Sequence, residues 1–205
     1  MKILAIDTSS NICSVCLLED NELISTLEIK DEKTHSEKLM PLVQKLLTTA
    51  NTPLNEINLI ACDKGPGSFT GIRIGISAVK AMAEVHKLDV IGVSSLQSLA
   101  YNEIFDGITC SLIDARNNQV YCGIFDDNHN KLGEYMADDI LVILNQINSL
   151  IFNEYVEHSK NINPVSRVAR VEIGVVRGTR KYLSQRERSM SFTHYKKPPS
   201  YPIYR

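Results

Sequence analysis

The alternation of apolar and polar positions predicts a three-stranded meander at the start of the chain. Three short runs, each apolar or alternating, are separated by polar turns, a spacing typical of antiparallel strands. The next stretch repeats its apolar residues every three or four positions, which predicts a helix. Two more apolar runs, each followed by a helical pattern, complete the order β-β-β-α-β-α-β-α. The predicted strands are residues 2–8, 12–18, 23–29, 57–62 and 89–93, and the first two helices are 35–50 and 71–87.

The same order of elements begins again in the second half. An apolar run ends in Asp114, as the first strand of the chain ends in Asp7, and two further runs and a helical pattern follow. These elements are the strands 108–114, 119–125 and 131–136 and a helix capped by Asp138 or Asp139. An internal repeat of this kind predicts an α/β fold of the actin-like (ASKHA, ribonuclease H-like) class. Its lobes would be residues 1–105 and 106–205, and the second lobe is reduced.

The composition is that of an ordinary globular chain. Of the 205 residues, 43% are hydrophobic and 22% are charged. No run approaches the length of a membrane span, and the first strand reaches Asp7 too early for a signal peptide. We therefore expect a cytoplasmic protein without a membrane partner. The five cysteines are an odd number placed in apolar runs, which predicts reduced thiols, and Cys13 and Cys16 fall on opposite faces of a strand, so that this C-x-x-C is not expected to bind metal.

Charge is divided unevenly along the chain. Residues 1–159 hold 11 Lys and Arg against 22 Asp and Glu, a balance of −11, whereas residues 160–205 hold 11 against 2, a balance of +9. A basic segment can bind nucleic acid or an acidic partner. It can equally be a solvated surface that balances an acidic body. Within this irregular basic tail, Val168, Val171 and Val175 predict one last helix.

A glycine-rich turn after the 57–62 strand is the most distinctive stretch. Residues 63–75 read Asp-Lys-Gly-Pro-Gly-Ser-Phe-Thr-Gly-Ile-Arg-Ile-Gly. Backbone N–H groups at a helix start can bind phosphate, but the spacing matches neither a P-loop nor Gly-x-Gly-x-x-Gly. Two interpretations remain: a phosphate cradle, or glycines that serve turn geometry and close packing. Gly71, Gly75 and Ala78 leave one side of the helix nearly bare, which permits a close approach.

Several segments together resemble the bacterial TsaB family of tRNA threonylcarbamoyladenosine biosynthesis proteins. They are residues 5–9, 35–37, 64–75 and 114–121, and residues 201–205 are similar to the closing Pro-x-Tyr-x-Arg of the family. The resemblance covers about residues 1–150 and implies the two-lobed actin-like fold. It also implies a paralogous partner, TsaD, which transfers a threonylcarbamoyl group onto N6 of adenosine 37 in tRNAs that read codons beginning with A.

The resemblance implies a subunit without activity of its own. In TsaD a His-x-x-x-His metal motif follows the strand after the glycine helix, and here Ser95 and Leu99 stand at those positions. Neither side chain suits such a site, so we expect no catalytic residue and no metal ligand, and ATP, ADP and metal would belong to the partner complex. The implied partners are a TsaD-like protein, a TsaE-like ATPase, tRNA through the complex, and a second copy when the chain is alone.

The sequence also indicates two groups of site residues. The family uses the helices at 35–50 and 71–87 for its dimer and partner surface, where Gly71 and Gly75 would let a partner helix come close. The residues of that surface are His35, Leu39, Gly71, Arg73, Gly75, Ala78 and Met82. A vestigial phosphate region would consist of Asp7, Thr8, Ser9, Asp114 and Arg116.

Two other functions remain open at this point. An independent ATPase or sugar-kinase-like phosphotransferase would use residues 7–9 as its first phosphate loop and Asp114 as an acid of the second lobe. Against it, the turn after Asp114 is polar and not rich in glycine. Direct tRNA binding by the basic tail is the other possibility, and it would show a steep dependence on salt.

Overall fold

The computed structural model describes residues 1–30, 35–102, 108–159 and 172–175, with side chains up to residue 149. The predicted boundary between the lobes, at residues 105 and 106, lies outside the described residues. So does the basic tail from residue 160, apart from residues 172–175, and with it Val168 and Val171.

The first lobe contains the predicted five-stranded sheet. Its strands lie in the order β3-β2-β1-β4-β5, in which β1 pairs antiparallel with β2 and parallel with β4. The elements are β1 Lys2–Asp7, β2 Ile12–Glu19, β3 Glu22–Lys30, α1 His35–Thr49, β4 Leu59–Asp63, α2 Phe69–His86, β5 Asp89–Val93 and α3 Ser95–Ala100, with a 3-10 turn at Leu54–Glu56. The order predicted from the alternation of residues is confirmed.

Helices α1 and α2 cover one face of this sheet and form the core with it. Leu39 and Leu46 of α1 and Val79 of α2 are almost wholly buried, and they belong to the same cluster as Leu4 and Ile60 of the sheet. The apolar residues that predicted α1 are the ones it buries. Burial of one such side chain contributes about 1.5 to 3 kcal/mol, so this layer holds the lobe together.

The second lobe has a four-stranded sheet in the order β8-β7-β6-β9. Its elements are β6 Thr109–Arg116, β7 Gln119–Phe125, β8 Lys131–Asp139, α4 Ile140–Ser159 and β9 Glu172–Val175. Asp139 caps α4, because its Oδ1 accepts a hydrogen bond from Leu141 N at 2.8 Å. Among the described residues no helix has both the length and the apolar character needed to cross a membrane.

The prediction of a last helix is wrong at Val175. This residue lies in β9, which runs parallel to β6 and pairs Val175 with Leu112. Valine is β-branched and favours a strand wherever a sheet edge is open for pairing. The free edge of β6 is a long-range feature that the spacing of the valines does not reveal.

Helix α3 connects the two lobes. Leu96 and Ala100 are fully buried in one cluster with Phe125 of β7, and Ile113 of β6 packs against that cluster. Nearby, the ring of Tyr101 stacks on His129 with centroids 4.3 Å apart. The short helix is therefore held by the second sheet as well as by the first lobe.

Candidate functional site

The glycine-rich turn packs against the loop that follows β1. Ser68 N donates a hydrogen bond to Ser9 O at 2.6 Å, and Thr8 Oγ1 donates to Gly71 O at 2.7 Å. Ser68 also caps α2, because its Oγ accepts from Gly71 N at 3.2 Å. Two backbone N–H groups at the start of α2, those of Ser68 and Gly71, thus have partners within the chain and are not offered to an anion.

Three glycines are required by this close contact. A Cβ at Gly71 would overlap the carbonyl oxygen of Thr8, and one at Gly67 would overlap the carbonyl oxygen of Ser9. A Cβ at Gly75 would overlap Thr8 Oγ1. The expectation that Gly71 and Gly75 leave room for a partner helix is wrong, because Thr8 of the same chain fills that room.

The loop at residues 7–9 does not fit a phosphate group. Ser9 N donates to Asp7 Oδ1 at 2.7 Å, so this backbone donor is used within the loop. The Ser68 and Gly71 N–H groups have partners in the turn. An anion would also meet the carboxylates of Asp7 and Asp63, which interact electrostatically across neighbouring strand ends. Of the two interpretations of the turn, this geometry favours packing.

Asp63, at the end of β4, is a buried carboxylate that supports the turn. Its Oδ1 accepts from Gly65 N and from Ser95 Oγ, both at 2.6 Å, and the residue is only 8% exposed. Ser95 N in turn donates to Gly65 O at 3.0 Å. Asp63 therefore joins the glycine turn to the start of α3. The sequence carried a signal for it, since Asp63 ends a buried strand as Asp7 does.

Asp63 gives a prediction about pH. Burial raises the pKa of its carboxyl above 3.8, the charge of Asp7 raises that pKa further, and the hydrogen bonds from Ser95 and Gly65 oppose the rise. A carboxyl with a raised pKa in the folded state contributes stability below its unfolded pKa and loses it as the pH rises through the folded pKa. An Asp63→Asn chain keeps the acceptor oxygen without the charge. We expect the free energy of unfolding of the Asp63→Asn chain to increase relative to that of the parent as the pH rises from 3.5 to 7.

Urea unfolding at several pH values measures this difference. An Asp127→Asn chain is the control, because it loses the same charge at an exposed position. If the difference in free energy of unfolding between the Asp63→Asn chain and the parent stays the same across this pH range, the charge of the buried carboxylate does not destabilise the folded chain.

Asp114 and Arg116 lie in the hairpin between β6 and β7, in a different sheet from the 7–9 loop. Asp114 Oδ1 accepts from Arg116 N at 2.7 Å, which closes a tight turn within the hairpin. Both residues line a small polar cavity of about 180 Å³. The local hydrogen bond gives Asp114 a role in turn formation, and the structure does not join it to the 7–9 loop in one site.

A larger groove runs beside α1 and the end of α2. It has a volume of about 880 Å³ and is lined mainly by apolar side chains, among them Met40, Pro41, Leu47, Pro53, Leu54 and Met82. Leu47 and Met82 are nearly buried, whereas Met40 is 45% exposed. An open apolar groove between helices is the usual form of a surface that receives a helix of another protein.

The seven residues predicted for the partner surface fall into three groups. Leu39 and Met82 are 1% and 6% exposed and belong to the core of the first lobe, together with the partly buried Ala78. Gly71 and Gly75 face Thr8, as described above. His35 and Arg73 are accessible, but His35 Nε2 lies 2.8 Å from Ser10 O, and the Arg73 guanidinium lies 5.1 Å from the centre of the Phe69 ring.

Among the residues that line the groove, only Met82 belongs to the seven predicted for the partner surface. Met40 stands beside the buried stripe of α1, and Pro41 interrupts the polar face of that helix. Pro53 and Leu54 come from the following turn. An exposed methionine next to a proline on an amphipathic helix was the available signal. The turn at Pro53 and Met82 of α2 come close to α1 only in the folded chain, so the local sequence does not reveal the groove.

Ser95 and Leu99, the two positions that the resemblance set against metal-binding histidines, have other contacts. Ser95 donates its hydroxyl to Asp63, and Leu99 is a partly buried apolar side chain of α3. Across residues 1–30, 35–102 and 108–149, no three side chains of His, Cys, Asp or Glu form a group that could hold a metal ion. All five cysteines are free, and four of them are buried.

The chain is similar to known proteins of tRNA threonylcarbamoyladenosine biosynthesis. A family model described as TsaD: tRNA N6-adenosine threonylcarbamoyltransferase matches residues 25–182. The tRNA threonylcarbamoyladenosine biosynthesis protein TsaB of Bacillus subtilis (strain 168) is 34% identical over 151 residues, which are 73% of this chain and 66% of the relative. The protein of the same name from Escherichia coli (strain K12) is 41% identical over 133 residues, 63% of this chain and 57% of the relative. The chain belongs to the TsaB family.

Membership of the TsaB family confirms the resemblance drawn from the glycine turn and the other short segments. A solved structure, YeaZ from Pseudomonas aeruginosa, superposes with a TM-score of 0.61 at 33% identity and covers 66% of each chain. The actin-like α/β class is thereby confirmed. The chain spans 57% to 66% of the lengths of the two TsaB relatives named above.

Proposed function

We propose that this chain is a non-catalytic subunit that binds a TsaD-like threonylcarbamoyltransferase. It would support formation of N6-threonylcarbamoyladenosine at position 37 of tRNAs that read codons beginning with A. The observation that carries the proposal is the similarity to relatives named as tRNA threonylcarbamoyladenosine biosynthesis proteins. The apolar groove beside α1 supports the role of a binding subunit.

The groove supports one way in which the partner would be held. Met40 is the exposed apolar side chain on its rim, and the adjoining surface includes the exposed Gln44 and Thr48. A helix of the TsaD-like partner would bury Met40 between α1 and the turn at Pro53. When the chain is alone, a second copy occupies the same surface. This arrangement replaces the glycine-mediated contact expected from the sequence.

The remaining partners belong to the assembled complex. A TsaE-like ATPase and tRNA join through the complex, and ATP, ADP and metal bind to other subunits or to interfaces with them. The proposed location is the cytoplasm, where tRNA is modified. An independent ATPase receives no support from the 7–9 loop, because Ser9 N donates to Asp7 within the loop and Ser9 O accepts from Ser68 N of the glycine turn.

The test is a purification followed by a modification assay. The tagged full chain should retain the TsaD-like protein of the same cell, and a reconstituted system should form threonylcarbamoyladenosine only when the chain is present. Modification at an equal rate without the chain would refute the proposed role. Hydrolysis of ATP by the chain alone, at about 1 per second or faster, would favour the independent ATPase instead.

A further inference from the structure

Helix α3 packs on the second lobe, although it follows the last strand of the first. Leu96 and Ala100 are fully buried in one cluster with Phe125 of β7. Tyr101, the C-cap of α3, stacks on His129 in the turn between β7 and β8. No described residue of α3 belongs to the core cluster of the first lobe. By its packing, α3 is therefore part of the second lobe.

A single residue, Ser95, bonds α3 to the first lobe. Its Oγ donates a hydrogen bond to Asp63 Oδ1 at 2.6 Å, and its N donates to Gly65 O at 3.0 Å. In the described part of the chain, no other residue of α3 forms a hydrogen bond with the first lobe. Ser95 and Asp63 are both buried, so water has little access to these bonds. The two hydrogen bonds of Ser95 are named the latch.

Ser94, the N-cap residue of α3, does not use its hydroxyl as a cap. Its backbone has the extended conformation usual for an N-cap, and its carbonyl accepts from Ser98 N at 2.9 Å. The hydroxyl of an N-cap serine normally accepts from a backbone N–H of the first turn, such as that of Gln97. Ser94 Oγ is instead buried and has no hydrogen-bond partner among the described residues. A buried hydroxyl without a partner is unfavourable, so the latched arrangement leaves a bond of α3 unmade.

The chain passes from one lobe to the other at Ser94 and Ser95. Val93 is the last residue of β5, and its carbonyl accepts from Lys64 N at 2.9 Å, which fixes it to the first sheet. Leu96 is already fully buried against the second sheet. Hinges are usually a few residues at the ends of elements, where they absorb the change in φ and ψ. The two serines occupy such a position.

We propose that Ser94 is a hinge between the lobes and that Ser95 holds it in one of two positions. In the latched form, which the structure shows, Ser95 bonds to Asp63 and Gly65. In the released form the latch is broken, α3 moves with the second sheet, and the hydroxyl of Ser94 caps α3 at Gln97 N. Each form makes a hydrogen bond that the other lacks, so the equilibrium has two states.

The latch acts on the turn that begins α2. Gly65 belongs to the same glycine turn as Ser68, the N-cap of α2, and Met82 of α2 lines the apolar groove. The hinge therefore sets the orientation of the second lobe relative to that groove. This inference does not depend on the proposed function, because it concerns the free chain.

Hydrogen exchange of single backbone amides, followed by NMR on the full-length chain, measures the opening of the latch. The Ser95 N–H exchanges only when its bond to Gly65 O breaks, so its rate reports the released population even when that population is small. A Ser95→Ala chain keeps this amide but loses the bond from the hydroxyl to the Asp63 carboxylate. Exchange at position 95, corrected for its intrinsic rate, should become about tenfold faster or more. An unchanged rate would overturn the latch.

Ser94→Ala should act in the opposite direction. It removes the cap that only the released form has, so exchange at Ser95 should slow about fivefold relative to exchange at Ser98. Unfolding of the whole helix breaks the cap as well, so the Ser98 rate does not report it. If the ratio of the two rates is the same as in the parent, or if Ser95 exchanges faster, Ser94 is not the hinge.

The parent chain distinguishes a hinge from unfolding of α3. A helix of six residues does not persist in water by itself, so Ser98 stays protected in the released form only if α3 remains on the second sheet. We expect the Ser95 amide to exchange about tenfold faster than the Ser98 amide, or more. Equal protection of the two would mean that α3 unfolds whenever the latch opens, which would overturn the proposal. Ser77→Ala, at an exposed position on α2, is the matched control and should leave both rates unchanged.

Discussion

Replacing Gly71 by alanine should lower the free energy of unfolding of the chain by about 2 to 3 kcal/mol. The added Cβ would overlap the backbone carbonyl of Thr8, and neither atom can move without shifting β1 or α2. The helix propensity of alanine returns only about 1 kcal/mol. Urea unfolding of the parent and the variant measures the difference. An exposed Ser77→Ala change on the same helix is the control and should be neutral or slightly stabilising.

A comparison with Gly75 distinguishes overlap with the main chain from overlap with a side chain as the cause of this loss. Its Cβ would meet the side-chain oxygen of Thr8, whereas that of Gly71 would meet the main chain. In a Thr8→Ala background, Gly75→Ala should therefore cost much less than in the parent, while Gly71→Ala should keep most of its cost. Equal rescue of both, or of neither, in a double-mutant cycle would contradict the packing described for this turn.

The elements of the first lobe could be predicted from the sequence because their signals are local. The period-two alternation in β1 separates Leu4 from Ala5, and the helical stripe of α1 contains the residues that the helix buries. What faces the bare side of α2 could not be predicted in this way. The answer is Thr8, which precedes Gly71 by 63 positions and meets it only in the folded chain. A stripe of small residues indicates a close contact without identifying the contacting group.

At the candidate site, too, the local sequence predicts which groups are present but not what they contact. An acid at the end of a buried strand was visible at Asp7 and Asp114, and Asp63 has the same pattern. In the structure these aspartates have different roles. Asp63 accepts a hydrogen bond from Ser95, whereas Asp7 and Asp114 each accept one within their own turn. Residue type and strand position identify polar groups at a sheet edge. Their partners come from other elements and decide whether such groups bind a ligand or support the fold.

The apolar groove beside α1 gives the prediction with the largest expected effect on function. A Met40→Glu change would place a charge on the rim of this groove, where the proposed partner helix would remove it from water. Affinity for the TsaD-like partner should fall about 30-fold or more, because removing an unpaired carboxylate from water costs about 2 kcal/mol or more. Because Met40 is 45% exposed in the free chain, the variant should fold with nearly unchanged stability. Titration calorimetry with the purified partner measures the affinity, and urea unfolding checks the fold.

Leu141→Glu is the matched control for this variant. Leu141 is an apolar side chain of similar size that is 52% exposed on α4 of the second lobe, away from the groove. Its substitution should leave partner affinity within about twofold of the parent, because it adds the same charge at a surface without a proposed partner. Unchanged binding by Met40→Glu would exclude the groove as the docking surface even if the parent chain still supports tRNA modification. Loss of binding by Met40→Glu alone would instead assign the contact to this face, since the two chains have the same net charge and differ only in where the carboxylate is placed.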